Sequence, residues 1–228
     1  MAAAAGVRSY RIIRTNEVDP KDAPMPRAAV PPIGAPVPFA VPGDNFAGTA
    51  RKAAKLAVSN AAMEVFADLP PLIATLPSKT SMKKHKPKIT TEANSARVAE
   101  EKRNVRLTAF LYAASREADN DFHLIIGRDP DSTPHVYMTI EISGLPPQSA
   151  SSFTKLKSAR KSFQTFFGND LPGTSYDFYD PPIPIKVEGS LFFDMSHATG
   201  QGPGPASLRD DIPTIWELHP VSKITFEP

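Results

Sequence analysis

From Val105 onward the chain alternates. Val105, Leu107, Ala109, Leu111 and Ala113 interleave with Arg106, Thr108, Phe110 and Tyr112, the period of two expected of a half-buried strand. A polar turn over 116–120 leads to DFHLIIG, where Phe122, Leu124 and Ile126 share one face and His123 and Ile125 the other. After the turn RDPDSTP, the segment HVYMTIEI directs Val136, Met138, Ile140 and Ile142 inward, and Tyr137, Thr139 and Glu141 outward. Residues 152–167 carry helical spacing, with Phe153, Leu156, Phe163 and Phe167 on the core side, Ser151 or Ser152 as cap and Gly168 as stop. PPIPIKVEGSLFFD is a fourth strand in which Gly189 marks a bulge or bend. The loop HATGQGPGPASLRDDIP then connects to a fifth strand over 214–226, which holds the only tryptophan, Trp216.

The order strand-strand-strand-helix-strand-strand is that of an OB-fold, a small five-stranded barrel. The expected fold class is therefore mainly β with one intervening helix, an OB-like barrel over 105–228. In such barrels the face of strands two and three binds the ligand, flanked by the loops joining strands one to two and four to five. Fold-level analogy of this kind ranks functions without proving one.

The first 104 residues read differently. In 1–47 proline recurs too often for a helix or a central strand, which predicts an extended arm. GTARKAAKLAVSNAAMEVFADL predicts one amphipathic helix over 48–70, with Thr49 as cap, a stripe of Ala54, Leu56, Ala57, Ala61, Val65 and Phe66, and Pro70-Pro71 as the stop. Residues 71–104 form a charged linker with a basic run at Lys83, Lys84, Lys86 and Lys88. A lone amphipathic helix must bury its stripe, on the domain or on another subunit.

Composition narrows the function classes. The 25 prolines fall mostly in the arm and in loops, and the absence of cysteine excludes disulfides, thiolate metal sites and cysteine nucleophiles. Residues 1–104 carry 16 Lys+Arg against 9 Asp+Glu (+7), while residues 105–228 carry 10 against 15 (−5). An acidic domain argues against a nucleic-acid groove, which needs concentrated Lys and Arg, and the basic run lacks aromatic residues for base stacking. The basic arm is expected to dock on its own domain or to hold an acidic partner. The opening MAAAAGVRSYRIIR does not read as a secretory signal, and no apolar run approaches the length of a membrane span. The expectation is a soluble, cytoplasmic protein without membrane contact.

Three of the five histidines follow an acid at short spacing: Asp121-x-His123, Asp194-x-x-His197 and Glu217-x-His219. An acid two residues before a histidine on a strand lies on the same face and is placed to orient the ring, an arrangement common to metal and acid–base sites and to purely structural staples. On the expected strand order the three pairs sit near one mouth of the barrel. His123, His197 and His219 are candidate ligands for Zn, Mn or Fe(II), with Asp121, Asp194 or Glu217 as ligand or support, although no HxH or HExxH spacing is present. A metal-free acid–base site would use Arg128 or Arg106 as anion clamp. Tyr137 and Tyr179 are candidate ligand-face aromatics. His85 lies in the lysine run and His135 follows a turn proline, and both read as structural.

The segments Asp121-Phe-His-Leu, Phe192-Phe-Asp-Met-Ser-His197 and Glu217-Leu-His-Pro-Val221 resemble a group of uncharacterised bacterial proteins that share D-x-H-L, F-F-D-x-x-H and E-L-H-P-V. The resemblance covers about the last 125 residues and implies one OB-like domain, with no activity attached. The chain departs from the group at Ala206-Ser-Leu-Arg, where a longer insertion precedes E-L-H-P.

The leading expectation is a binding or interaction module whose residues 1–70 mediate self-association, as a homo-oligomer, or docking of a protein partner, with no cofactor. The alternative is a metal-dependent hydrolase, phosphodiesterase or nuclease-like, that uses the clustered histidines and carboxylates.

Overall fold

A computed structural model describes residues 9–20 and 43–227, and the parts of the expected arm at 1–8 and 21–42 lie outside the described residues. The chain order is β1 (Arg11–Arg14), α1 (Lys52–Lys55), β2 (Met63–Phe66), α2 (Leu69–Ile73), α3 (Lys79–Lys83), β3 (Asn104–Arg116), β4 (Phe122–Gly127), β5 (Tyr137–Ile142), α4 (Phe153–Phe167), β6 (Asp177–Phe193) and β7 (Trp216–Phe226). The seven strands form one sheet in the order β1-β6-β7-β5-β4-β3-β2, and β6 also pairs with β3. That extra pairing closes five strands into a ring. Neighbours in the ring run antiparallel except β5 and β7, which are parallel through Thr139↔Glu217 and Ile140↔Leu218.

The alternation read from the sequence fills the ring. Val105, Leu107, Ala109 and Leu111 of β3, Leu124 and Ile126 of β4, and Met138, Ile140 and Ile142 of β5 share one buried apolar cluster. Val187 and Leu191 of β6 and Trp216 and Leu218 of β7 complete it, together with Phe163 and Phe167 of α4. Ala113 departs from the pattern. The register shifts between Leu111 and Ala113, and a bulge of this kind turns the following residues over, so that Ala114 enters the main core and Ala113 packs outside it with Ile125 and Tyr176. Gly189 sits at the bulge expected of it, with register shifts against β7 on both sides.

The helix expected over 48–70 is not formed. Over 48–68 only Lys52–Lys55 is helical, Arg51 precedes it with a left-handed φ of 49°, and Met63–Phe66 lies parallel to the start of β3. Asn104 explains the change. Its side-chain amide donates to the carbonyls of Ser59 and Ala61, both at 2.9 Å, which removes from a helix two acceptors it would need. Arg103 then clamps Glu64 through two bonds of 2.8 and 2.6 Å. Pro70 and Pro71 open α2 rather than stopping a helix, behind an Asp68 cap whose Oδ1 accepts from the Leu69 amide at 2.7 Å.

The segment 71–104 is likewise more than a linker. Leu72, Met82 and Ile89 are buried in the main core, whereas Lys83, Lys84, Lys86 and Lys88 remain exposed. Ser152 precedes α4 as expected, but its hydroxyl donates to the Leu56 carbonyl at 2.6 Å instead of capping the helix. Among the described residues, no helix is long and apolar enough to cross a membrane.

The outer face of β4, β5 and β7 is where structure departs most from an ordinary half-buried sheet. His123, Thr139, Glu141, Glu217 and His219 point away from the apolar interior yet are sealed from solvent. The chain covers them itself. Residues 43–58 lie over one part, joined through Phe46 to Leu145 and through Lys55 to Glu141, and the loop after β6 covers the rest together with Asp19. The described portion of residues 1–70 thus docks on its own domain. Arg11 with Asp180, Arg14 with Asp170 and Lys55 with Asp119 supply basic-to-acidic pairs across that contact.

Candidate metal centre

Each histidine of the three acid–histidine pairs arrives from a different element. His123 is the second residue of β4, His219 lies in β7 and His197 sits on a single 3₁₀ turn, Ser196–Ala198, directly after β6. All three are buried, with 0%, 0% and 2% exposure respectively. Asp194 and Glu217 each contact the histidine that follows them, whereas His123 pairs with Glu117 rather than with Asp121.

His197 is held by its own pair and by a residue far away. Its Nδ1 is 2.5 Å from Asp194 Oδ2, and its Nε2 is 2.8 Å from Asp19 Oδ1. Asp19 also accepts from the Gly204 amide at 2.8 Å through Oδ2, and the Tyr176 hydroxyl is 3.4 Å from that oxygen. Asp194 accepts from the Ser196 amide at 2.8 Å, which fixes the turn.

His219 pairs with Glu217, Nδ1 to Oε1 at 3.1 Å, but lies closer to Glu141, Nδ1 to Oε2 at 2.8 Å. Its Nε2 faces Asp121 Oδ2 at 3.2 Å. Asp121 therefore does not serve His123. Its Oδ1 accepts from the Gly144 amide at 2.7 Å, and Lys55 Nζ stands 3.7 Å from its Oδ2. His123 instead meets Glu117, Nδ1 to Oε1 at 2.7 Å, with the Tyr176 hydroxyl at 3.3 Å and Asp19 Oδ2 at 3.6 Å from the same nitrogen.

Burial and neighbouring charges set the proton affinities. The Asp121 carboxyl is pushed up to about 7, first by burial and then by the charge of Asp119, with His219 and Lys55 opposing. Glu217 is raised by burial, by Glu141 and by Asp194, with His219 opposing. For His219 burial favours the neutral ring, yet the Glu141 carboxylate, helped by the hydrogen bonds of Asp121 and Glu141, overcomes it and holds the ring well above its ordinary value.

Two sets of three donor atoms lie within 4.8 Å of one another: Glu117 with His123 and Glu141, and Asp121 with Glu141 and His219. Glu141 belongs to both. The expected grouping of His123, His197 and His219 on one ion is not what the fold builds, because His123 and His219 fall in separate sets and His197 in neither. The reason is register: His123 stands opposite Glu141 across β4 and β5, so a carboxylate rather than a second imidazole separates the two histidines. No protein-family model, curated protein or solved structure matches this chain.

The other candidates lie elsewhere. Arg128 binds Asp68 at 2.9 Å and Arg106 binds Glu188 at 3.0 Å, so neither is placed as an anion clamp for the cluster. Tyr179 is a core residue packed on Tyr10 and Phe167 rather than a ligand-face aromatic. Tyr137, 6% exposed, stacks edge-on against Tyr112 with ring centres 4.9 Å apart. The face of the second and third ring strands, expected to receive ligand, is covered by the chain itself. Among the described residues, Asp19, Lys55, Glu117 and Glu141 escaped the sequence reading. Only Glu141 had a readable signal, a lone acid within an otherwise apolar and hydroxylated strand.

Imidazole nitrogens and carboxylate oxygens in this proportion suit Zn, Mn or Fe(II), whose sites mix nitrogen and oxygen ligands. Glu217 on His219 Nδ1 is placed as an outer carboxylate that sets ring orientation and basicity.

Proposed function

We propose that the chain is a divalent-cation-binding protein built on an OB-like barrel, with the cation held by buried histidine and carboxylate side chains. The observation that carries this reading is the sharing of Glu141 by two histidine-containing donor sets inside a sealed volume. Buried carboxylates in such number are costly unless protons or cations neutralise them. The OB-like assignment is supported by the ring order β3-β4-β5-β7-β6 and by the helix between the third and fourth ring strands. Hydrolysis of phosphodiesters would require a coordination position open to substrate, and the burial of Asp121, His123, Glu141 and His219 favours a cation that holds the fold over one that turns over substrate. Elemental analysis of protein purified without chelator tests the reading. Stoichiometric Zn, Mn or Fe, together with a raised melting temperature on adding the ion, is expected; metal-free protein that Zn, Mn and Mg all fail to stabilise would remove the proposal.

A second reading, an interaction module, rests on the sheet edge. β2 is a terminal strand, and its Val65 and Met63 are 67% and 38% exposed, apolar positions of the kind a second copy of the chain covers by strand addition. Sedimentation of the full chain beside Val65→Lys tests it. A dimer that Val65→Lys dissociates supports the reading, and a monomer in both cases ends it.

A further inference from the structure

We propose that copies of this chain join head to tail through the two ends of the sheet, β1 (Arg11–Arg14) of one copy pairing antiparallel with β2 (Met63–Phe66) of the next. The inference rests on the interaction-module reading and adds to it a second edge, a register and a polarity.

Both strands terminate the sheet. Among the described residues β1 pairs only with β6 and β2 only with β3, so each presents a second edge with no strand partner. Each also displays an aliphatic side chain to solvent, Ile13 on β1 at 48% exposure and Val65 on β2 at 67%. Alternation puts Ile12 and Arg14 on the face opposite Ile13, and Glu64 and Phe66 on the face opposite Val65. Ile12 and Phe66 both pack against the main core, so the inward face of one strand can continue the inward face of the other.

One antiparallel register satisfies every position. With Ile13 opposite Val65, Ile12 falls opposite Phe66 and Arg14 opposite Glu64, which gives an aliphatic pair outside, and an apolar pair and an opposite-charge pair inside. Like edges match less well under the same rule. Two β2 strands centred on Val65 set Glu64 against Phe66, and two β1 strands centred on Ile13 set Arg14 against Ile12. The charges divide in the same sense: β1 carries Arg11 and Arg14 with no acid, and β2 carries Glu64 with no base. Their pairs within the chain leave both groups within reach of a partner. The Arg14 side chain beside Asp170 is 68% exposed, and that of Glu64 beside Arg103 is 39% exposed. A contact between unlike edges leaves one β1 and one β2 unused at the ends of each assembly, so addition continues past the dimer.

Sedimentation velocity of the full-length protein over a concentration series, with Ile13→Lys and Val65→Lys alone and mixed in equal amounts, tests the arrangement. Wild type is expected to pass from monomer through dimer to longer chains as concentration rises. Each variant alone is expected to stay monomeric, and the mixture to recover a dimer and stop there, because the intact β1 of one variant meets the intact β2 of the other. Wild type that stops at a dimer, or Ile13→Lys that associates as wild type does, overturns the head-to-tail contact and leaves the interaction module standing. Two monomeric variants that fail to recover a dimer on mixing also overturn it. Monomeric wild type at every concentration overturns both. Circular dichroism establishes that each variant is folded, and the wild-type series alone decides the question should a variant fail to fold.

Discussion

Glu141 Oε2 lies 2.8 Å from His219 Nδ1, while the residue facing Glu141 on the neighbouring strand is His123. One acid in the third ring strand thereby joins histidines from the second and fifth. The contact exists only because β5 and β7 run parallel with Thr139 opposite Glu217, which brings the outward residues of both strands to the same height.

The proton affinities in this centre predict that the metal-free protein loses stability as pH rises. Asp121, with an ordinary value of 3.8, is pushed up to about 7, and Glu217 is raised in the same direction. The folded state thus keeps protons that the unfolded chain releases. Their stabilising contribution is full below the unfolded values and is lost as pH rises through the folded ones. His219, raised above 6.5, acts with the same sign at higher pH. Urea midpoints in chelator are expected to be lower at about pH 8 than at about pH 5, and divalent cation should narrow the gap because metal competes with protons for the same atoms. Equal midpoints in chelator would contradict these proton affinities.

Asp19 is predicted to hold residues 9–20 onto the loop after β6. Its two oxygens meet His197 Nε2 and the Gly204 amide, both at 2.8 Å, and the carboxylate is fully buried. Asp19→Ala takes the buried carboxylate away from His197 Nε2 and from the Gly204 amide, a loss of about 3–5 kcal/mol when one member of a buried charged pair is removed. Hydrogen exchange is expected to rise at 9–20 and 196–204 before the ring opens. Uniform exchange across the ring strands would show instead that Asp19 supports the whole fold.

Arg51 makes a buried ion pair with Glu101, apart from the histidine–carboxylate cluster. Its guanidinium binds both oxygens of Glu101 at 2.7 and 2.8 Å and the carbonyls of Ala96 and Phe193, while Glu101 also accepts from the Phe193 and Val98 amides. A planar two-pronged contact of this kind does not survive replacement by a single ammonium. Arg51→Lys is therefore expected to destabilise nearly as much as Arg51→Ala, by about 3–5 kcal/mol in chemical denaturation. Recovery of most of the stability in Arg51→Lys would show that charge alone suffices.

The contrast between what the sequence disclosed and what it hid follows from range. Strands from Val105 onward declare themselves because alternation is local, and the intervening helix because its Phe and Leu spacing is local too. Over 59–66 the alanine-rich stretch has genuine helical preference, and it lost to Asn104, whose amide captures two of its carbonyls from more than 40 residues away. The centre was half visible for the same reason. Acid-x-His spacing identified buried polar faces on β4 and β7, but which carboxylate meets which ring depends on register between strands. Asp19 reaches His197 across 178 residues, a partnership no local pattern encodes.

Gly189 connects that register to the histidines. A Cβ built there would stand 3.0 Å from Leu218 Cβ and 3.0 Å from the Pro220 carbonyl oxygen, so part of the obstruction is backbone that cannot rotate away. These residues flank His219 on both sides. Gly189→Ala must therefore push β7 outward at the position that sets the His219 ring against Glu141 and Asp121, with an expected cost of about 1–3 kcal/mol for overpacking. The same substitution at Gly173, where an added Cβ meets nothing within 4 Å, is the control. If the bulge positions the centre, Gly189→Ala lowers both the denaturation midpoint and the Mn(II) affinity, whereas Gly173→Ala changes neither. A Gly189→Ala protein that loses stability but keeps its metal affinity would separate packing at the bulge from the geometry of His219.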